Sequence, residues 1–489
     1  MKRPEQIVII GFGPVAASLV EGLLPAVTAG QCELTVISAE EHLAYNRVLL
    51  AELAIGAAQL DHLNMVDAPR LEAAGVKILL GAQATGVDRA RRRVIIGNHE
   101  PVAYDRLVFA TGARAMIPSL NGLNFDPHAD TALPDSVFAL RTVDDANKLQ
   151  HHLTAGDRIL ILGGGILGIE AALAIAASGG SPVLVHHGAA PLGRVVDSDG
   201  GALLTRCLKE AGVEVISQVK ATGITKDENG FAALTTSTHG QIPGGALLIS
   251  TGVRARTELA EGCGLAVGRG IKTNQFLCAD TEARIYALGD CAEVDGQAPV
   301  GLLAPGWAQA SWLAAHLSSP TDIPAADFSA SDVLMLKGQG IEVAAAGDVS
   351  AGFWDNPELQ ATVFADPSAG RYLKVVTRDS VVTGFLSIGL PQTSAELTLA
   401  YERGTPLPED RSTLLRLDDP AVSDLGTAIP SDEDQLCRCS GATYGQVAHA
   451  VGEGCTTVAQ VGESCRAGTG CGGCKSKIEE MLKKAPALA

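Results

Sequence analysis

"QIVIIGFGPVAASLVEGLL", residues 6–24, decides the fold. Ile7 to Ile10 are a run of β-branched residues that reads as a buried strand, Gly11 and Gly13 make a tight turn, and an apolar-periodic helix follows with Ala16 in the third small position. A strand that passes through glycine into a helix N-terminus lets backbone amides approach a diphosphate. Next, "CELTVISAEE" (32–41) is a second strand whose end offers Glu40, where a carboxylate binds a ribose hydroxyl pair. Strand, turn, helix, strand and acid in that order point to a dinucleotide-binding unit, whereas the glycines alone would also suit a plain tight turn.

Further along, "DRILILGGGILGIEAALAIAASGGSPVLVHH" (157–187) repeats the arrangement, with Gly163, Gly165 and Gly168 between a strand and a helix and a second strand that ends at His186. Two such units imply two dinucleotides. The second strand ends without a carboxylate, and also without an immediate arginine for a 2′-phosphate, and NADH is favoured over NADPH. His186 and His187 either touch the adenosine ribose or are ordinary loop residues.

The chain has 489 residues, 46% of them apolar and 19% charged, enough for several domains with a sizeable core. A formal charge of −18 excludes the nucleic-acid binders, which need a basic face to displace counterions. "MKRPEQIVIIGFGP" runs straight into the first strand without a signal-peptide pattern, and no segment reaches about 18 uninterrupted apolar residues, so the expectation is a soluble, cytoplasmic protein with no membrane partner.

Of eleven cysteines, six crowd the last 55 residues, which in a reducing compartment suggests a metal or cluster site. Cys32, Cys207, Cys263, Cys278 and Cys291 are scattered and read as buried small hydrophobes. From residue 437 the text is "CRCSGATYGQVAHAVGEGCTTVAQVGESCRAGTGCGGCKSKIEEMLKKA". Cys437 and Cys439 form a C-x-C pair, Cys471 and Cys474 a C-x-x-C pair, with two short helices expected between them and a third starting at the second pair. A helix N-terminus supports negative sulfur, and glycines 470, 472 and 473 let the backbone wrap closely. Four thiolates hold either a [2Fe-2S] cluster or zinc. Cys455 and Cys465 fall outside the pattern and read as packing residues.

The first part of the chain resembles the FAD-dependent pyridine-nucleotide oxidoreductases with two nested Rossmann-like domains. The resemblance rests on the two glycine turns, "ATG" at Ala110 to Gly112, "STGVRARTEL" at 250–259 and "IYALGDCAE" at 285–293. It implies FAD at Gly11, Gly13, Ala16, Glu40, Thr111 and Gly112, the ribityl chain at Asp290, and the nicotinamide coenzyme at Gly163, Gly165, Gly168 and His186. The family's flavin accepts a hydride from the nicotinamide. Its disulfide reductases carry a redox cysteine pair, whereas here no cysteine follows the first turn and residues 115–254 hold only Cys207.

"AYNRVLLAEL" (44–53), "GGGILGIEAA" (163–172) and "GLLAPGWAQA" (301–310) are similar to the flavoprotein portion of NAD(P)H nitrite reductase large subunits and of assimilatory nitrate reductase electron-transfer subunits. That similarity sets Arg47 at the FAD diphosphate or isoalloxazine. It sets Glu170 near the nicotinamide, and because the lysine that pairs with it in some relatives is replaced near Glu52, no acid or base role follows. The tail resembles the bacterioferritin-associated-ferredoxin-like [2Fe-2S] domain, with Cys437, Cys439, Cys471 and Cys474 as ligands.

The expected fold is α/β: an FAD-binding domain in two segments (1–114 and 255–325), an NAD(P)H-binding domain (115–254), a small α/β packing or interface domain (326–415), a linker (416–434) and a small helical [2Fe-2S] domain (435–489). In the interface domain, Phe353 and Trp354 in "AGFWDNP" read either as a partner-facing patch or, the favoured reading, as turn anchors. The sequence leads to the expectation that no sirohaem-binding module accompanies the cage. The implied function is an NADH-oxidising FAD and [2Fe-2S] electron-transfer subunit that serves a separate molybdenum-containing nitrate reductase catalytic subunit. The alternatives are a stand-alone reductase of a ferredoxin-like carrier or of a separate nitrite reductase core, and a flavoprotein whose cysteine tail is regulatory or holds structural zinc.

Overall fold

The computed structural model describes residues 3–123, 133–228, 230–318, 324, 328, 333–352, 354, 356–418, 431–437, 440–468 and 474–484. Strand β1 (Glu5–Ile10) buries its last four residues, passes through the glycine turn, and continues as helix α1 (Pro14–Thr28). The helix turns Ala16, Leu19, Val20 and Leu23 onto the sheet, where each large apolar side chain contributes about 1.5–3 kcal/mol. β1 pairs in parallel with β2 (Cys32–Ile37) on one side and with Arg106–Phe109 on the other. The six-stranded sheet runs in the order Cys278–Asp280, Ile285–Ala287, Arg106–Phe109, β1, β2, Lys77–Leu79. Its strand order reverses at β1, and in such sheets the crevice beyond the strand's C-terminal end takes the ligand.

The second unit is built the same way. Strand β3 (Arg158–Leu162) leads through Gly163 into α2 (Ile166–Ala177) and on to β4 (Ser181–Val185). Its five-stranded parallel sheet also includes Glu214–Ile216, Ala246–Ile249 and Val137–Phe138. The chain crosses between the two units twice, and the crossings pair as an antiparallel ribbon of Ala113–Ala115 with Val253–Ala255.

Beyond helix Leu303–Ser318, five antiparallel strands from Leu334 to Ile388 form a sheet that helix Pro391–Arg403 covers. Two of the sequence segments expected as strands lie in it. Gln360–Asp366 is an additional edge strand, whose mostly half-exposed residues gave no clean alternation. Trp354 corrects one reading: it is 94% exposed and anchors no turn, while Phe353 lies outside the described residues.

This sheet is fastened to the second unit by a buried polar knot. Asp197 caps helix α3 (Ser198–Glu210) through the Gly200 amide at 3.0 Å. Its other carboxylate oxygen accepts from the Tyr372 hydroxyl at 2.6 Å and lies 3.2 Å from Nζ of Lys374, itself 8% exposed. Burial pushes the Tyr372 hydroxyl up, and Asp197 pushes it further. Asp197→Ala strips the cap and leaves a buried ammonium without its counter-ion. It is expected to destabilise the second unit by about 3–5 kcal/mol, read as a drop in the first calorimetric transition.

The C-terminal segment folds into three short helices, α4 (Tyr444–Gly452), α5 (Val458–Cys465) and α6 (Lys475–Lys484), around Val447, Val461, Ala467 and Ile478. All three were expected from the sequence, and α6 starts directly after Cys474. Among the described residues no helix is long and apolar enough to cross a membrane.

Candidate functional site

At the first turn Gly11 has φ +101°, and a Cβ there would lie 2.2 Å from the Ala110 carbonyl oxygen. Only glycine lets β1 and the "ATG" segment close on each other this way. Gly13 is the N-cap of α1 with no side-chain cap, so the first helix amides open into the crevice; Ala16 is buried behind them. Helix Leu303–Ser318 pins this corner, Trp307 Nε1 donating to the Pro14 carbonyl at 3.4 Å and Gln309 accepting from the Gly289 amide at 2.8 Å.

Around that crevice the structure gathers residues that are far apart in the chain. Glu40 accepts from Arg47 Nη2 at 2.5 Å and from the Tyr45 hydroxyl at 2.6 Å, and the Arg47 guanidinium lies over the Tyr45 ring. Burial pushes the Glu40 carboxyl up, but Arg47 and Tyr45 outweigh it and hold it below the usual carboxylate range. Arg47 Nη1 donates to the Arg141 carbonyl at 2.7 Å. Arg141 in turn points its Nη2 at Ala113 O (3.3 Å) and stands 3.9 Å from Asp290. Thr111 Oγ1 donates to the Arg256 carbonyl, and Gly112, at φ +66°, accepts from the Arg256 amide.

Sequence reading missed Arg141. It precedes a Thr142–Asp145 capping box in "ALRTVDDA", and that local signal sets it at a helix N-terminus, though not facing a crevice formed 94 residues earlier. Its Nε is buried with no hydrogen-bond partner among the described residues. Burial pulls its guanidinium down, Asp290 opposing and Arg47 and Arg256 adding to the effect; burial likewise pushes the Asp290 carboxyl up. An under-partnered buried guanidinium beside uncapped helix amides fits a diphosphate, and the nearby carboxylates fit ribose and ribityl hydroxyls. The residues present therefore suit FAD.

In the second unit Gly163 has φ +125°, its Cβ position 2.1 Å from the Ser250 carbonyl, and Gly168 is packed so that a Cβ would meet Gly163 O at 2.4 Å. Gly165, the uncapped N-cap of α2, has open space beside it. His186 is 4% exposed, held by Ser217 Oγ at 2.9 Å and packed against Gly164, and burial lowers its imidazole pKa. It thus backs the turn, while His187 is exposed. Glu170 is half-buried on α2, a helix that packs against Leu50–Ala54, and Glu52 of that second helix has a buried Oε2 with no hydrogen-bond partner among the described residues.

In the C-terminal helices Cys437 and Cys474 are buried side by side, 2% and 7% exposed. Cys474, together with the amides of Gly468 and Ser440, draws the Cys437 thiol down to about 5 against its burial. Buried adjacent thiols with amide donors on sulfur are a donor set that fits a thiolate-held cluster. Cys439, Cys471 and the glycines 470, 472 and 473 lie outside the described residues. Cys465 bonds its own helix through the Val461 carbonyl, and with Cys455 it packs on the core of this domain. Arg466 reaches out of this domain to Glu21 of α1, 2.7 Å away.

Residues 5–312 match the pyridine nucleotide-disulphide oxidoreductase family, and the chain belongs to it. Residues 435–484 match the BFD-like [2Fe-2S] binding domain. The chain is therefore an FAD-dependent pyridine-nucleotide oxidoreductase with a [2Fe-2S] domain. It is 30% identical over 98% of its length to the nitrite reductase (NADH) large subunit of Escherichia coli (strain K12), and 26% identical over 98% to the assimilatory nitrate reductase electron transfer subunit of Bacillus subtilis (strain 168). It spans only 55% and 60% of those relatives. In fold it is similar to the covalent putidaredoxin reductase–putidaredoxin complex, with TM-score 0.70, 22% identity, and 86% of this chain and 96% of that one covered.

Proposed function

We propose that the chain oxidises NADH and delivers the electrons through its cysteine cage to a separate molybdenum-containing subunit that reduces nitrate to nitrite. Bound FAD supplies the exchange between hydride and single electrons, and the cluster carries the single electrons onward. The chain's own residues do the holding. Glu40 takes the adenosine ribose of FAD. The α1 amides after Gly13, with Arg47 and Arg141, take its diphosphate, and Asp290 takes its ribityl chain. Gly163, Gly165 and Gly168 bring the α2 amides to the NADH diphosphate, His186 buttresses that turn, and Glu170 borders the nicotinamide. Cys437, Cys439, Cys471 and Cys474 hold the cluster.

The observation that carries the reading is the amide-supported pair Cys437–Cys474 in a domain that touches the FAD-binding unit. Likeness to the nitrate reductase electron-transfer subunit along almost the whole chain supports the acceptor. A nitrite-reducing core as acceptor is a second reading, favoured by the higher identity to nitrite reductase.

Anaerobic titration with NADH is expected to bleach the flavin and then the iron–sulfur absorbance, with a rhombic one-electron paramagnetic signal. Bleaching of flavin alone, with one zinc per chain, would end the electron-carrier reading. Transfer to a purified molybdenum subunit, set against a sirohaem core, separates the two acceptors.

A further inference from the structure

The contact between Arg466 and Glu21 joins residues 445 positions apart and ties the cysteine domain to the FAD-binding unit. Both side chains are mostly shielded, 31% and 25% exposed. Glu21 stands seven residues into α1, about 10 Å along the helix from its N-terminal amides. Pro25, inside the same helix, has no N–H to give the Glu21 carbonyl four residues earlier. Residue 21 therefore offers a backbone acceptor as well as a carboxylate, on a helix face suited to a multi-donor guanidinium.

On the other side, Arg466 is tied to the cage. It ends α5 in the left-handed region, at φ +64°, with its amide bonded to Gly462 O at 2.9 Å. Such a conformation costs a non-glycine residue energy and sets where its side chain points. Two residues on, the Gly468 amide supports the Cys437 sulfur. The direction of the guanidinium is thus coupled to the orientation of the cage. Charge agrees: residues 435–489 carry six Lys or Arg and four Asp or Glu, a cationic surplus set against a body that holds the chain's whole negative balance.

The geometry points to Arg466–Glu21 as the dock in which the cysteine domain receives its electrons, its partner being the outer face of α1 in the same chain. The inference rests on the proposed flavin-to-cluster route. Each NADH gives up two electrons and one proton on becoming NAD⁺, so two one-electron passages through this dock clear one turnover, and the proton goes to solvent.

The test uses the full-length, cofactor-loaded chain and the variant Glu21→Lys, a residue that is neither a cage ligand nor part of either glycine turn. Stopped-flow should show NADH-to-flavin reduction unchanged and cluster reduction about tenfold slower. Small-angle scattering should show a larger maximum dimension. The swap E21K/R466E should restore both. Wild-type dimensions and wild-type cluster reduction in E21K, or failure of the swap to recover either, would overturn the dock. If NADH never reduces the cluster in the wild type, the electron route itself fails, and scattering still decides whether the dock exists.

Discussion

Gly163→Ala is expected to leave the protein yellow while weakening NADH-driven flavin bleaching about 100-fold. At φ +125° an alanine is strained, which costs about 1–3 kcal/mol, and its Cβ would overlap the Ser250 carbonyl at 2.1 Å. Ser250 cannot retreat, because it follows a central strand held in register with β3, Leu162 against Ile249. The turn must move instead, and the α2 N-terminus moves with it, since Gly168 is packed on Gly163 O. A total near 3 kcal/mol corresponds to about 100-fold. Gly11→Ala applies the same logic to the other unit, with φ +101° and the Ala110 carbonyl at 2.2 Å. There the expected result is colourless protein. Absorbance of the purified variants reads FAD retention, and stopped-flow bleaching against NADH concentration reads coenzyme binding. Wild-type bleaching in Gly163→Ala would show that this turn does not carry the nicotinamide coenzyme.

The contrast between the two turns also explains what could be read from the sequence. Both strand–glycine–helix units were legible because their geometry is local: a positive φ and a missing Cβ leave a signature within a dozen residues. Glu40, Arg47 and Asp290 were legible one at a time, but not the ion pair between the first two or the approach of Arg141 to the third. The first is set by the side-chain geometry of the loop after β2, and the second by the chain returning across the Ala113–Ala115 crossing, and no periodicity encodes either. His186 was placed at the strand end, yet its burial against Gly164 follows from tertiary packing around Ser217. The three helices of the tail were legible in the sequence; Thr443 and Thr457 cap the first two, and the third starts directly after Cys474. Arg466–Glu21 was invisible, because a pairing across 445 residues has no local trace. Trp354 went wrong for the opposite reason: a large aromatic next to a turn usually anchors it, and here it faces solvent.

Cys437→Ser is expected to reduce acceptor turnover more than 100-fold, on the order of 3 kcal/mol or beyond, while NADH-to-dye activity stays near wild type. The sulfur it removes is 2% exposed and, among the described residues, sits in a small core with Val447, Val461 and Ile478. Cys474 and the Gly468 and Ser440 amides draw the thiol well below its ordinary range, which favours the thiolate form that a metal takes. A serine hydroxyl stays protonated there, and the same amides then face a poor acceptor inside an apolar shell. A domain this small gains much of its stability from the bound group, so losing one ligand is expected to unfold the tail as well as empty it. Visible absorbance and iron content measure the first effect, and proteolysis within 435–489 the second. Cys465→Ser is the matched control. Its sulfur already bonds the Val461 carbonyl in its own helix, a partner that a hydroxyl keeps, so iron content and turnover should hold near wild type. Equal losses in both variants would mean that packing, and not ligation, explains the cysteines. A silent Cys437→Ser, with carrier reduction intact, would mean that the electrons leave by another path.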